Sequence, residues 1–200
     1  MKDYIGTADM SQGSLTSFTT DRFGNANSAL ALNGGYTIVP SGVYFDSLGF
    51  TIAAWVYPQS VGSYSRILDF GNGPDTNNVV FSLSDDFSLK PYVYLYGVNY
   101  DASKTLILNT WQHLAVTFDA NPYYNGSTYV SIYQNGLQIM RVSVSFTLPR
   151  INRINCYIGK SNWADCCGNG YSRSYMDELR IYNTALSSSA ILALYSQGLI

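Results

Sequence analysis

An all-β fold of the sandwich or barrel kind is predicted by three features of this 200-residue sequence. Strand-like segments recur with turn signals between them, Tyr reaches 18 residues while charged residues make up only 12%, and one short stretch alone reads as helix. Aromatic and β-branched side chains suit a pleated, half-buried surface, and short strands separated by Gly, Asn and Pro are the pattern of sandwiches and barrels. Two hundred residues supply one substantial core and are awkward for two, so a single domain over 1–200 is expected.

The elements follow in order. The first twenty residues are polar and weakly patterned. "TIAAWVYP", "SRILDFG" and "NVVFSL" are apolar, β-rich runs bounded by Gly, Asn and Ser. In "PYVYLYG" the period-2 rule puts Val93 and Leu95 on the core side and Tyr92, Tyr94 and Tyr96 on the other. "WQHLAVTFD" alternates Leu114, Val116 and Phe118 against Trp111, His113 and Ala115. "STYVSIYQNG" sends Val130 and Ile132 inward and Tyr129 with Tyr133 outward, then turns at Asn135-Gly136, a pair suited to a type I′ hairpin, into "LQIMRVSVSF". "CYIG" and "YMDELRIY" close the strand series. "ALSSSAILALYSQG" is the helix, with Ser187 or Ser188 as cap and Gly198 as stop.

Several function classes fall away. The net charge is -2 and no Lys/Arg cluster is available to track a phosphate backbone, so nucleic acid is not an expected partner. No run approaches the length of an apolar membrane span. "MKDYIGTADM" lacks the apolar run of a signal peptide, which fits a mature or excised part of a longer chain. Glycoside hydrolysis by paired carboxylates needs two acids flanking one bond, and the sequence holds a single Glu, Glu178. Asp85 and Asp86 are adjacent, so on a strand they point to opposite faces. His113 is the one candidate base for a serine triad, and its mid-strand place reads better as a packed, hydrogen-bonded histidine. No catalytic residue and no organic cofactor are expected.

Three groups of residues remain as candidate sites. Tyr92, Tyr94, Tyr96, Tyr129 and Tyr133 offer phenol rings away from the aliphatic side, a platform for a sugar ring or a protein surface. In "ILDFGNGPDTNN", Asp69, Asn72 and Asp75 have side-chain oxygens suited to a hard cation, but the same Gly, Asn and Asp residues also make a turn. Cys156, Cys166 and Cys167 lie too close together to staple distant elements, and a local bridge from Cys156 to Cys166 or Cys167 is expected in an oxidising compartment. Asn125-Gly126-Ser127 is a glycosylation sequon.

"SALALNGGYTIVP", "FTIAAWVYP", "WQHLAVTFD", "VSIYQNGLQ", "YIGKSNW" and "MDELRIYNTALS", in that order, resemble the LamG-like concanavalin A-type jelly-roll family, close to its laminin-G/pentraxin-like branch. The resemblance implies two antiparallel sheets packed as a jelly roll, in a secreted or cell-surface module that binds carbohydrate or adheres to protein. It also implies a structural Ca2+ at a sandwich edge, with Asp177 as a ligand. Candidates opposite are Asp9, Asn33 and the Gly34 carbonyl. Strand alternation places Asp177 with Leu179 and Ile181, leaning inward, where a carboxylate needs a hydrogen bond or a cation. Against the family's pattern the first strand reads as shortened, and an open sheet edge there invites pairing with another chain, a second copy included.

Overall fold

A computed structural model describes residues 2–45, 48–120, 127–167 and 169–197. Among these residues, twelve strands run β1 (Ser11–Thr19), β2 (Ala29–Val39), β3 (Gly49–Ser60), β4 (Arg66–Gly71), β5 (Val79–Ser82), β6 (Tyr92–Leu95), β7 (Val98–Asp101), β8 (Gln112–Asp119), β9 (Thr128–Gln134), β10 (Leu137–Val144), β11 (Asn155–Ile158) and β12 (Arg173–Tyr182). A single helical turn, α1 (Ala164–Cys167), precedes β12, and α2 (Ser188–Gln197) follows it.

All strand pairs are antiparallel, and the order β10-β9-β8-β3-β12-β2 continues as β2-β11-β4-β5-β6-β7. Strand β2 belongs to both halves. Leu30–Asn33 pair with β12, and Thr37–Val39 pair with β11. The transfer happens at Gly34, whose φ of 78° is open to glycine and strained for most other residues. The result is a two-sheet jelly-roll sandwich, as the alternation predicts.

One apolar cluster fills the space between the sheets. Phe50, Ile52, Ala54 and Val56 of β3 and Leu114, Val116 and Phe118 of β8 share it with Leu68 and Phe70 of β4, Phe81 of β5, and Val93 and Leu95 of β6. Each large side chain removed from water contributes about 1.5–3 kcal/mol, so this cluster is the main source of stability. Val130 and Ile132 also point into it, as expected. A smaller cluster lies on the outer face of the first sheet, where Ile191 of α2 packs on Ala53, Ala115 and Tyr133. Ser187 is the cap of α2, its Oγ accepting the Ala190 N–H at 3.2 Å.

Strand β1 lies along β2 from Ser11 opposite Ile38 to Thr19 opposite Ala29, with two register shifts. The polar N-terminal stretch is therefore a nine-residue strand that covers one edge of β2. Its alternation is weak because most of its side chains face solvent.

The expected bridge from Cys156 is not formed. Cys156 is a free thiol buried between the sheets, because its place on β11 turns it into the core. Burial pushes its pKa up to about 12, which leaves it an inert thiol. The side chains of Cys166 and Cys167, and the whole of Asn125, lie outside the described residues.

Candidate functional site

The outer face of the second sheet is built around β4. A register shift between Arg66 and Leu68 puts both Arg66 and Asp69 on this face, beneath the segment that joins β11 to β12. Asp69 is fully buried and accepts from Asn78 Nδ2 (3.0 Å), Asn162 N (2.8 Å) and Asn162 Nδ2 (2.7 Å), with Arg66 Nε at 3.8 Å. Burial pushes its carboxyl above the usual range against those donors, and pulls Arg66 down to about 10, so the guanidinium stays charged at neutral pH. Arg66 donates to Ser82, Tyr92, Ser161 and Asn169, which ties the joining segment to the sheet. This network is structural, and three donors and the neighbouring guanidinium surround Asp69.

The stretch after β4 is a turn with two tasks. Asn72 N–H donates to Thr76 O at 2.8 Å, and Asp75 and Asn77 sit at φ 52° and 60°, conformations that Asx residues tolerate. The Asn72 side chain donates to Asn152 O (3.2 Å) and accepts from Ile154 N (2.9 Å), while Arg153 Nε donates to Asn77 O (2.8 Å). Asp75 accepts the Tyr94 hydroxyl at 2.9 Å and the Trp163 indole N–H at 3.4 Å. The Tyr94 and Trp163 rings meet edge to face, centroids 5.4 Å apart. Burial, with Asp75 beside it, raises the Tyr94 pKa to about 12, so the phenol keeps its proton and remains the donor.

A cavity opens on each side of this turn. One, of 320 Å³, is lined by Asp75, Asn77, Tyr94, Tyr96, Pro149 and Arg153. The other, also of 320 Å³, is lined by Pro74, Asn155, Tyr157, Lys160, Asn162 and Asp165. Asp75 lines the first and its chain neighbour Pro74 the second.

Of the five tyrosines expected on one platform, the structure brings together Tyr94 and Tyr96. Tyr92 is 1% exposed and bonded to Arg66. Tyr96 is 65% exposed, at φ 54° in the turn after β6, and stacks on Phe146 at 5.1 Å. Tyr129 and Tyr133 belong to β9, in the other sheet, where Tyr133 is buried under α2 with its hydroxyl 3.2 Å from Ser188 Oγ and Arg141 lies 4.1 Å over Tyr129. Alternation gives the side of a strand but not what covers it. Trp163, Tyr157, Lys160 and Asp165 went unremarked in the sequence, although an aromatic among Ser, Asn, Asp and Gly in "KSNWADCCGNG" is a signal for a surface ring.

The expected calcium set does not assemble. Asp177 faces outward beside its partner Trp55, because a bulge between Asp177 and Arg180, with Glu178 at φ 49°, shifts the alternation before Leu179. Arg22 Nη1 donates to Asp177, and its Nη2 donates to Glu178 at 2.5 Å. The guanidinium lies 4.3 Å over the Phe23 ring and 4.8 Å over that of Trp55. Asn33 pairs with Arg173, four residues back along β12, about 13 Å from Asp177 at strand spacing. Asp9 accepts the Asp3 N–H in the N-terminal turn, and Gly34 N–H donates to Ser172 O. Among the described residues, no group of three His, Cys, Asp or Glu side chains is placed to hold a metal ion. Arg22 supplies the positive charge that Asp177 requires.

His113 is buried with Trp55 edge-on at 5.5 Å, and its Nδ1, like Trp55 Nε1, has no hydrogen-bond partner among the described residues. Burial lowers its pKa to about 4. Glu178 is held by Arg22 and Arg180. Among the described residues, no helix is long and apolar enough to cross a membrane.

Comparison with known proteins extends this picture. Domain 4 of AbnA, a GH43 extracellular arabinanase from Geobacillus stearothermophilus, solved in complex with arabinotriose, superposes with a TM-score of 0.71 at 19% identity, covering 95% of this chain and 88% of that one. The binding domain of Paraclostridial Mosquitocidal Protein 1 gives 0.65 at 16% identity, covering 96% and 48%, so the chain spans about half of it. A Trypanosoma rangeli sialidase mutant displaying trans-sialidase activity gives 0.65 at 20% identity, covering 96% and 30%. Identities this low establish a shared fold. No curated protein sequence matches the chain. A laminin-G-type family model does match, over residues 32–192, most of both sheets and the first half of α2, and the chain therefore belongs to the concanavalin A-like lectin/glucanases superfamily.

Proposed function

We propose that this chain is an extracellular carbohydrate-binding module that binds without catalysing, and that its site is the mouth of the cavity beside Asp75. The observation that carries this reading is the Tyr94–Trp163 pair, two half-buried rings fixed on one carboxylate at the edge of a 320 Å³ cavity. Sugar rings present apolar faces and a rim of hydroxyls, and a site with aromatic walls and a few fixed polar groups matches both. The superfamily and the arabinotriose-bound neighbour domain support the ligand class. The non-catalytic part is supported by the engagement of Glu178 in ion pairs and the burial of His113.

A glycan array followed by titration calorimetry tests it. Tyr94→Ala and Trp163→Ala each weaken binding by about tenfold, roughly 1.4 kcal/mol, with little change in Tm. Tyr92→Ser, which empties a buried place beneath Arg66, lowers Tm instead. A silent array would overturn the reading, and so would release of reducing ends from arabinan or β-glucan that Glu178→Gln abolishes.

A structural or adhesion role is the second reading. Among the described residues strand β1 pairs with β2 alone, and it carries Leu15 and Phe18 at 64% and 55% exposure, a sheet edge open to another protein or a second copy. A silent array together with an oligomer on a sizing column would favour it.

A further inference from the structure

The second cavity is lined by Pro74, the chain neighbour of Asp75 in the first, and it carries another ring, Tyr157. Tyr157 of β11 is opposite Asp69 of β4, Asp69 is opposite Val80 of β5, and Val80 is opposite Tyr94 of β6. Residues in register across a sheet share a face, so Tyr157 and Tyr94 stand on the same side of the second sheet, three strand steps apart. At about 4.8 Å per step they are about 14 Å apart, a span beyond one sugar ring. Trp163 follows Asn162 of the second cavity in sequence and meets the Tyr94 ring of the first edge to face.

Each cavity also balances its charge. The first sets Asp75 against Arg153, and the second sets Asp165 against Lys160, whose Nζ is 3.0 Å from the Asp165 carboxylate and 5.2 Å from the Tyr157 ring centroid. Paired charges of this kind provide donors and acceptors to hydroxyl groups without a net field to attract an anion. Tyr157 is itself held in place, edge to face with Tyr36 at 5.9 Å.

We propose that the two cavities are successive subsites of one groove that runs from Tyr157 of β11 to Tyr94 of β6 over the segment covering β4 and β5, and that the groove takes a linear, uncharged oligosaccharide long enough to touch Tyr157 and Tyr94 together. The proposal rests on the carbohydrate-binding reading above and adds to it the length, direction and charge of the ligand. A chain bound across the strands is gripped along its middle, so the site accepts internal stretches of a polysaccharide as well as free ends.

The test is calorimetry with arabino-, xylo-, cello- and manno-oligosaccharides from disaccharide to hexasaccharide. In the series that binds, affinity rises by about tenfold or more from the disaccharide and then levels off, as expected when a second set of contacts is added within one ligand. Tyr157→Ala removes that gain and leaves disaccharide affinity unchanged. Asp165→Ala, at a side chain 83% exposed and safe for folding, reduces the gain by several-fold. Affinity independent of chain length, or long-chain binding indifferent to both substitutions, overturns the two-subsite groove, while a loss confined to Tyr94→Ala preserves the single-site reading. Silence of the parent protein across all four series overturns the carbohydrate reading itself.

Discussion

Arg22 is the residue that most changes how the rim of the first sheet is understood. Its guanidinium is nearly enclosed, lying against two aromatic rings and bonded to two carboxylates. Removing it leaves Asp177 half-buried without a counter-charge, so Arg22→Ala is expected to cost about 2–4 kcal/mol in urea denaturation. Chelator is expected to leave the Tm of the parent protein unchanged, and a fall reversed by calcium would show that a cation is held after all. His113 gives a second expectation. Its folded pKa, about 4, lies below the unfolded value near 6.5, so the unfolded chain takes up the proton first. The stability it contributes is complete above about pH 6.5 and is lost as pH falls toward 4. Glu178 opposes this shift, and Arg180 and Arg22 reinforce it. The difference in stability between the parent and His113→Gln should therefore narrow over that window, and a constant difference would contradict the assignment. Neither residue's surroundings were legible in the sequence. Arg22 and Asp177 are 155 positions apart, and "DRFGN" has no pattern that ties it to "MDELR".

At the scale of elements, strands with one aliphatic face were legible and strands without one were not. Strands β3, β8 and β9 announce themselves because every second side chain enters the core. Strand β1 has no such side chains, and its place depends on backbone pairing and on close approach to β2. Gly35 is the critical point of that approach, since a Cβ there would meet Ser14 O at 1.9 Å and Leu15 Cβ at 2.7 Å. Gly35→Ala must push β1 away, and a cost of about 1–3 kcal/mol is expected. Hydrogen exchange should show protection lost first in β1, with β3 and β8 unaffected. Uniform loss across all strands would mean that β1 is integral to the cooperative unit. The bulge at Glu178 is another feature that alternation misses. One extra residue reverses the side on which every later residue falls, which is why Asp177 was placed with Leu179 and is found with Trp55.

Across the whole molecule the two outer faces have unlike fates. Helix α2 covers the first sheet and takes Tyr133 and His113 out of reach, whereas the second sheet is covered by a polar segment that leaves a cavity on each side of the turn after β4. The fold class, both inward-facing sets and the terminal helix could be read from periodicity and caps. The site could be read only in part, because it is assembled from three places in the chain, the turn after β4, Tyr94 with Tyr96, and the segment from Tyr157 to Asp165. Short polar stretches of this kind show their turn chemistry and conceal their neighbours. The stretch Asn72–Asn78 is the clearest case. It reads as a turn and is one, yet it is also fastened at both ends, by the two bonds of Asn72 to Asn152 and Ile154 and by Arg153 reaching Asn77. The entropy of ordering this loop is therefore spent when the protein folds and is not charged again to the ligand. Asn72→Ala should leave every group that touches the ligand in place and still weaken binding, with the loss appearing in a less favourable binding entropy.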